Sequence, residues 1–141
     1  MAKKTNTPKE WRFLAERDLS IAEHLAATYS PIPTEVISNF CQQSSEKYLK
    51  GALVIFGEEP PYTHDLPELC KIAEKHCPSF ASISSQCSVI THFAVQPRYD
   101  FGLSLSDEEM RIVLAHTKSI RNFLIKDVPE LFLEEDDKSD D

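Results

Sequence analysis

A strip of polar side chains inside an apolar helix pattern is the first place in this sequence where chemistry could occur. Gln43, Glu46 and Lys50 recur at steps of three and four residues, which places them on adjacent turns of one helix face. On a solvated face, Glu46 and Lys50 would form only a surface ion pair, worth about 0.2–0.5 kcal/mol. The same strip would also suit the floor of a ligand groove, so both interpretations stay open.

A histidine and an aspartate stand directly before the next helix pattern. Asp65 is placed to accept backbone donors at the helix start, while His64 has the side-chain type best suited to exchange protons near neutral pH. Helix capping is the simpler interpretation of this pair. A place in a ligand site is the alternative.

A third candidate lies in a connector between two helix patterns. The planar guanidinium of Arg98 could hold a phosphate, with Tyr99 beside it as a stacking face and Asp100 next along the chain. A structural ion pair of Arg98 with Asp100 or Glu46 is the alternative. Loops held by rigid helices commonly carry function, so the connector is retained as a candidate.

One carboxylate interrupts the apolar stripe of the first helix. Asp18 would be costly there unless another helix supplied a donor, so its position requires a partner. It could serve a structural role, as a cap or an interhelical bond to backbone, or it could contact a ligand directly.

Apolar residues at helical spacing run through almost the whole chain, while 3 Gly against 9 Pro leave little material for the turns of a sheet. Capping boxes at Thr7–Glu10 and Ser106–Glu109 mark two helix starts, and Gly57 marks a helix end. We therefore predict an all-α antiparallel bundle of four long helices plus a short one. The predicted segments are Pro8 to about Tyr29, Thr34 to Phe56, Leu66 to about His76, Pro78 to Gln96, and Asp107 to about Leu124.

A chain of 141 residues fits one domain. We predict an N-terminal arm over residues 1–7, the helical domain over 8–133 and a disordered acidic tail over 134–141. The tail holds six acidic residues and one lysine, a net charge of −5, which leaves −3 of the total −8 on the rest of the chain. Such a body does not bind phosphate backbones indiscriminately, so any nucleic-acid site must be local.

The sequence does not indicate a membrane protein, an exported protein, or a protein that binds a metal or a cofactor. No stretch approaches the roughly 20 apolar residues of a membrane span, and the N-terminus lacks the apolar run of an export signal, so we expect a cytoplasmic protein. The four cysteines have no CxxC spacing and the histidines are scattered, so we expect reduced thiols and no metal. Without a Gly-rich phosphate loop, we also expect no bound cofactor.

The order and spacing of three pieces resemble the HEPN family, the higher-eukaryote and prokaryote nucleotide-binding domains. They are Gln43-x-x-Glu46-Lys47-x-x-Lys50, Thr63-His64-Asp65-Leu66 and Arg98-Tyr99, and the likeness covers about Trp11 to Phe123. It implies an antiparallel helical bundle, usually a homodimer, often encoded beside a minimal nucleotidyltransferase. Some members are metal-independent ribonucleases with an Arg-x4–6-His motif, and others are non-catalytic nucleotide- or RNA-binding partners.

The ribonuclease motif is broken in this chain. The family's arginine falls on Arg98, but Leu103, Ser104 and Leu105 occupy the places of its histidine. Arg111-x4-His116 fits the motif numerically, but five residues of a helix turn the side chains about 140° apart, so we interpret this match as accidental. Arg98 alone can stabilise charge but cannot act as a base. His64 could act as one only if its loop lies against the connector.

We therefore favour a nucleotide- or RNA-binding homodimer that engages a minimal nucleotidyltransferase in a toxin–antitoxin-like pair. A metal-independent ribonuclease toxin is the first alternative, with Arg98, His64, Arg111 and His116 as candidate catalytic residues. A non-catalytic structural adaptor is the second. The expected binding residues are Gln43, Glu46, Lys50, His64, Asp65, Arg98, Tyr99 and Asp100.

Overall fold

The computed structural model describes residues 7–95 and 105–134, and every regular element in these residues is helical. This confirms the predicted all-α fold. The helices are α1 (Pro8–Thr28), α2 (Thr34–Ile55), α3 (Leu66–His76), α4 (Ser84–Val95) and α5 (Asp107–Asp127), with 3₁₀ turns at Pro78–Ile83 and Pro129–Phe132.

The helix ends follow from local chemistry. The Thr7 hydroxyl accepts a hydrogen bond from the Glu10 backbone N–H at 3.1 Å, and the Glu10 carboxylate accepts one from Thr7 at 3.3 Å. Ser106 and Glu109 repeat this capping box at the start of α5. Gly57 follows α2 with φ of +83°, a backbone conformation that other residues rarely adopt. The predicted helix starts and this stop are therefore confirmed.

The fourth predicted helix is built in two pieces. Pro78–Ile83 is a 3₁₀ turn, and α4 continues directly from Ser84. Pro78 has no backbone N–H, and the Phe80 N–H bonds the Cys77 carbonyl at 3.0 Å, which winds this first part more tightly. The turn still buries Phe80 and Ile83, so it serves the core as the predicted helix start would have done.

Helix α2 lies at the centre of the bundle and contacts α1, α3, α4 and α5. Of its 22 residues, 13 are buried, including the large side chains of Tyr48, Leu49 and Leu53. At Gly51, an added Cβ would lie 2.9 Å from Leu131 Cδ1 and 3.0 Å from Trp11 Cβ. The absence of a side chain at this position lets α1 and the C-terminal 3₁₀ turn pack closely on α2.

Two further expectations concern membrane-spanning helices and the state of the cysteines. No helix within the described residues is both long enough and apolar enough to cross a membrane. All four cysteines are free thiols. Burial raises the pKa of Cys41 to about 12, so this thiol stays protonated at neutral pH.

Candidate functional site

Asp18 has a structural partner set. Its carboxylate is only 2% exposed and accepts hydrogen bonds from Lys47 Nζ at 2.6 Å and from Arg17 Nη2 at 3.1 Å. The Lys47 contact joins α1 to α2. These contacts favour the structural interpretation of Asp18, although the donors are side chains rather than the backbone groups that we expected.

Glu46 and Lys50 of the polar strip on α2 are buried, which excludes the solvated-face interpretation for this pair. Lys50 Nζ donates to Glu46 Oε2 at 2.9 Å, as the spacing predicted, but the two residues are only 7% and 5% exposed. The Trp11 ring of α1 lies 5.8 Å from Lys50 Nζ, within the range of a cation–π contact. The pair is therefore an internal ion pair. Gln43, the third member of the strip, is half-buried.

The loop before α3 brings His64 onto this ion pair. His64 Nδ1 lies 3.0 Å from Glu46 Oε1 and 3.1 Å from Oε2, while the His64 side chain is 80% exposed. A carboxylate only accepts hydrogen bonds, so Nδ1 must carry the hydrogen. We call Glu46, Lys50 and His64 the polar triad. It joins a surface imidazole to a buried, charge-compensated carboxylate.

The backbone beside His64 is held independently of its ring. Gln42 Nε2 donates to the His64 carbonyl at 2.8 Å, and the Thr63 hydroxyl accepts from the Asp65 backbone N–H at 3.1 Å. Asp65 Oδ1 accepts from the Glu68 backbone N–H at 3.4 Å and caps α3. Asp65 therefore acts as the helix cap that the simpler interpretation proposed, and the loop that carries His64 is fixed at several points.

Sequence reasoning missed two residues of this region. Gln42, rather than the neighbouring Gln43, bonds the His64 loop, and Trp11 covers Lys50. Trp11 Nε1 and Gln42 Oε1 are buried without a hydrogen-bond partner among the described residues. Such groups are uncommon because an unmade hydrogen bond costs about 1–3 kcal/mol. The i, i+4 spacing of Gln42 and Glu46 was the available signal for the first of these residues.

Three predicted site residues lie outside the described part of the chain: Arg98, Tyr99 and Asp100. Their place in a site stays a prediction. The chain resumes at Leu105, whose carbonyl accepts from the Thr34 hydroxyl at 2.7 Å and whose N–H donates to Glu35 at 3.2 Å. The C-terminal end of the connector is thus attached to the first turn of α2.

The other arginine–histidine candidate lies on one uninterrupted helix. Arg111 Nε bonds Asp107 Oδ2 at 3.2 Å near the start of α5, and His116 is half-buried one and a half turns later. Because α5 is continuous through both residues, their side chains leave it about 140° apart. This geometry supports the interpretation of their spacing as accidental.

A second polar cluster, not foreseen from the sequence, joins α1, α2 and α5. The Tyr48 hydroxyl and Arg121 Nε both donate to Glu16 Oε2, at 2.8 and 2.7 Å, and we call these residues the Glu16 cluster. It lines a groove of about 460 Å³, together with Glu23 and Lys118, which pair at 2.9 Å. Every charged side chain lining this groove therefore has an opposite partner.

The pKa shifts in the Glu16 cluster follow these contacts. Burial, with the bond to Glu16, raises the pKa of Tyr48 far above its ordinary value. Burial pushes the pKa of Glu16 upward, but the hydrogen bonds from Arg121 and Tyr48 outweigh it and leave that pKa lowered. Glu16 is thus ionised and Tyr48 protonated at neutral pH, which is the state that preserves both bonds.

No three His, Cys, Asp or Glu side chains in residues 7–95 and 105–134 are grouped as metal ligands.

The structure defines a small all-α bundle in which a histidine-bearing loop packs against the central helix.

The family model of the HEPN domain matches residues 8–128. The chain therefore belongs to the HEPN family, and the resemblance seen in the sequence is confirmed. No curated protein and no solved structure gave a significant match.

Proposed function

We propose that this protein is a nucleotide- or RNA-binding HEPN module whose ligand site includes the polar triad. The observation that carries the proposal is an exposed His64 ring held on a buried Glu46–Lys50 pair. Burying two charges costs desolvation energy, and a packed apolar pair would often stabilise a fold equally well. A buried pair that also fixes the direction of a surface imidazole fits a binding role better than a purely structural one.

Arg98 is proposed as the phosphate ligand of the same site. Leu105 is attached at Glu35, and Glu46 lies eleven residues further along α2, about 16 Å at the rise of a helix. Arg98 precedes Leu105 by seven residues, and an extended chain of that length spans about 24 Å. Measured from Leu105, the chain is therefore long enough for Arg98 to approach the triad.

A ribonuclease is the second candidate function, and the geometry of His64 is the observation that favours it. An imidazole whose Nδ1–H bonds a carboxylate has the orientation of a general base. Incubation of the protein with labelled RNA in EDTA tests this candidate. Cleavage that disappears in His64→Ala would support the ribonuclease function. Intact RNA would contradict it and leave binding as the remaining function.

The proposal includes assembly. We propose a homodimer that acts in the cytoplasm and engages a minimal nucleotidyltransferase in a toxin–antitoxin-like pair, as the HEPN family implies. Light scattering should give about twice the chain mass of 16.0 kDa. A monomer at tens of micromolar would contradict the dimer, and failure to co-purify with a co-expressed nucleotidyltransferase would contradict the pairing.

Binding is best tested with matched histidine variants. Fluorescence anisotropy with a labelled 12-nucleotide RNA should show weaker binding by His64→Ala and by Arg98→Ala. Loss of a charged phosphate donor at Arg98 should cost about 1.5–3 kcal/mol, roughly ten- to hundredfold in affinity. His76→Ala is the control, because His76 also bonds a carboxylate, Glu58 at 2.6 Å, but lies at the other end of α3.

The outcomes of this experiment separate the alternatives. Unchanged affinity in both test variants would refute the proposed site. Reduced melting temperature of Arg98→Ala with unchanged affinity would assign Arg98 to a structural ion pair. Equal loss of affinity in His76→Ala and His64→Ala would mean that the triad has no special part in binding.

A further inference from the structure

We infer that Lys47 and Arg17, the two cations that share the buried carboxylate of Asp18, bind a phosphate group of the ligand. This inference rests on the proposed function and assigns that site a phosphate contact separate from Arg98. We call Arg17, Asp18 and Lys47 the Asp18 cluster.

The Asp18 cluster carries one more positive charge than negative charge. Lys47 Nζ lies 2.6 Å from Oδ2 of Asp18, and Arg17 Nη2 lies 3.1 Å from Oδ1. Elsewhere in residues 7–95 and 105–134, each lysine or arginine that forms an ion pair has a carboxylate to itself. Because one carboxylate cannot neutralise two cations, a positive charge is left over where α1 meets α2.

Both cations keep donors for a further acceptor. Asp18 takes the Nε–H and an Nη2–H of Arg17 and a single hydrogen of the Lys47 ammonium. The Asp18 side chain is 2% exposed, whereas those of Lys47 and Arg17 are 19% and 50% exposed. A ligand in solution therefore reaches the two cations but not the carboxylate beneath them.

A phosphate group fits the donors of the Asp18 cluster. Phosphate oxygens accept hydrogen bonds and carry negative charge, and charge-assisted bonds of this kind are among the stronger ones in proteins. Asp18 already holds both long side chains, so less side-chain entropy is lost when the ligand binds. A local excess of positive charge is also what a chain with a net charge of −8 requires to bind an anion.

The Asp18 cluster lies beside the polar triad. Lys47 follows Glu46 directly, and successive residues of a helix point about 100° apart, so Lys47 meets α1 while Glu46 meets the loop before α3. Gln43 is three residues before Glu46 and four before Lys47, which places it between the two on the surface of α2. A phosphate held by the Asp18 cluster would belong to a ligand that extends across Gln43 toward the triad.

The test measures how salt weakens the binding of a labelled 12-nucleotide RNA, by fluorescence anisotropy at several KCl concentrations. Each phosphate contact of a single strand contributes about 0.7 to the slope of log affinity against log salt concentration. Lys47→Ala should lower the affinity about tenfold at the lowest salt and reduce this slope by about 0.7. Arg17→Ala should act in the same direction, and it leaves Asp18 paired with Lys47 if Lys47→Ala does not fold.

The matched control is Lys118→Ala. It removes the same charge from the protein, but from a pair in which Glu23 already balances Lys118 at 2.9 Å. Affinity and slope should therefore equal those of the wild type. Lys47→Arg keeps the charge and should retain most of the affinity, and melting temperatures of all variants check folding.

ATP in place of RNA distinguishes the two sources of the phosphate. A loss of ATP affinity in Lys47→Ala without a loss of RNA affinity would assign the Asp18 cluster to a free nucleotide. A loss of RNA affinity without a loss of ATP affinity would assign it to a nucleic-acid strand. Either result supports the phosphate contact.

The results that overturn the inference differ from those that overturn the proposed function. Unchanged affinity for both ligands in Lys47→Ala and Arg17→Ala overturns the phosphate contact but leaves the binding module standing. Lower RNA affinity with an unchanged salt slope, or an equal loss in Lys118→Ala, also overturns it. Reduced slope in Lys47→Ala beside full binding by His64→Ala supports the contact and removes the triad from the site. Absence of binding of both ligands to the wild type overturns both proposals together.

Discussion

The polar triad and the Glu16 cluster are each built on a glutamate that accepts two donors, but they differ in what they leave open. In the Glu16 cluster, Tyr48 and Arg121 both donate to the same carboxylate oxygen of Glu16. The neighbouring Glu23 and Lys118 pair with each other. In the triad, the hydrogen bonds of the His64 ring to described residues all involve Nδ1, and the side chain is 80% exposed. The groove of about 460 Å³ beside the Glu16 cluster is therefore the weaker candidate for a ligand site, because its charged groups already pair with one another.

The two clusters also differ in how deeply their charged side chains are buried. Glu46 is almost fully buried, whereas Glu16 and Arg121 are 37% and 35% exposed. Water can replace a lost partner in the Glu16 cluster but not beneath the triad. Substitutions in the two clusters should therefore differ in both stability and binding.

The largest effect is expected from Glu46→Ala. It leaves Lys50 buried without its carboxylate, and breaking a buried pair on one side costs about 3 kcal/mol or more. Urea denaturation measures this loss. Glu46→Gln is the milder comparison because it keeps the volume and an acceptor oxygen. A loss below about 1 kcal/mol in Glu46→Ala would show that Lys50 reaches water and that the pair is not internal.

Tyr48→Phe should have an intermediate effect that is confined to stability. It removes a hydrogen bond to a charged group, worth about 1.5 kcal/mol here because the groove is open to water. RNA affinity should match that of the wild type. Lower affinity with an unchanged melting temperature would mark the groove, rather than the triad, as the ligand site.

His64→Ala should change stability by less than about 0.5 kcal/mol, because the side chain is largely exposed and its loop is held by Gln42 through the backbone. Thermal unfolding beside His76→Ala measures this. Near-native stability with weakened RNA binding is the result that distinguishes a ligand contact from a structural one. A clear fall in melting temperature would mean that the imidazole itself holds the α3 loop in place.

The smallest effect is a pH dependence from Glu16. Its pKa is lowered in the folded protein, so the unfolded state takes up a proton more readily as pH falls. The stabilisation is therefore complete above the ordinary value of 4.5 and is lost as pH falls through the lowered pKa. The stability difference between wild type and Glu16→Gln should shrink from pH 7 to pH 3. A difference that grows on acidification would contradict the sign of the shift.

The features that could be predicted from the sequence are those set by residues close together in the chain. Both capping boxes and the Gly57 stop are local, and the helices begin and end close to their predicted residues. Sequence also identified the Glu46–Lys50 spacing, but it could not show that the pair is buried. That burial depends on Trp11 and His64, which reach α2 from other parts of the chain.

The contacts that sequence reasoning missed all depend on how the helices pack against one another. Neighbouring residues of a helix point about 100° apart, so Gln42 and Gln43 could not be distinguished until the rotation of α2 in the bundle was known. The partners Asp18 and Lys47 are 29 residues apart, and Glu16 and Arg121 are 105 apart. Asp18 signalled that a partner was needed, but its type alone could not identify that partner.

Helix α2 carries a consequence for mutational scanning. More than half of its residues are buried, and Gly51 admits no side chain without displacing Leu131 or Trp11. Its polar side chains form hydrogen bonds to α1, to the loop before α3, to α5 and to Leu105. A saturation library screened for function would therefore show the buried positions of α2 as intolerant, whatever the ligand. His64 would stand out in such a map as a position that is sensitive in a functional screen and tolerant in an abundance screen. The difference between the two maps, rather than intolerance itself, would locate the chemistry.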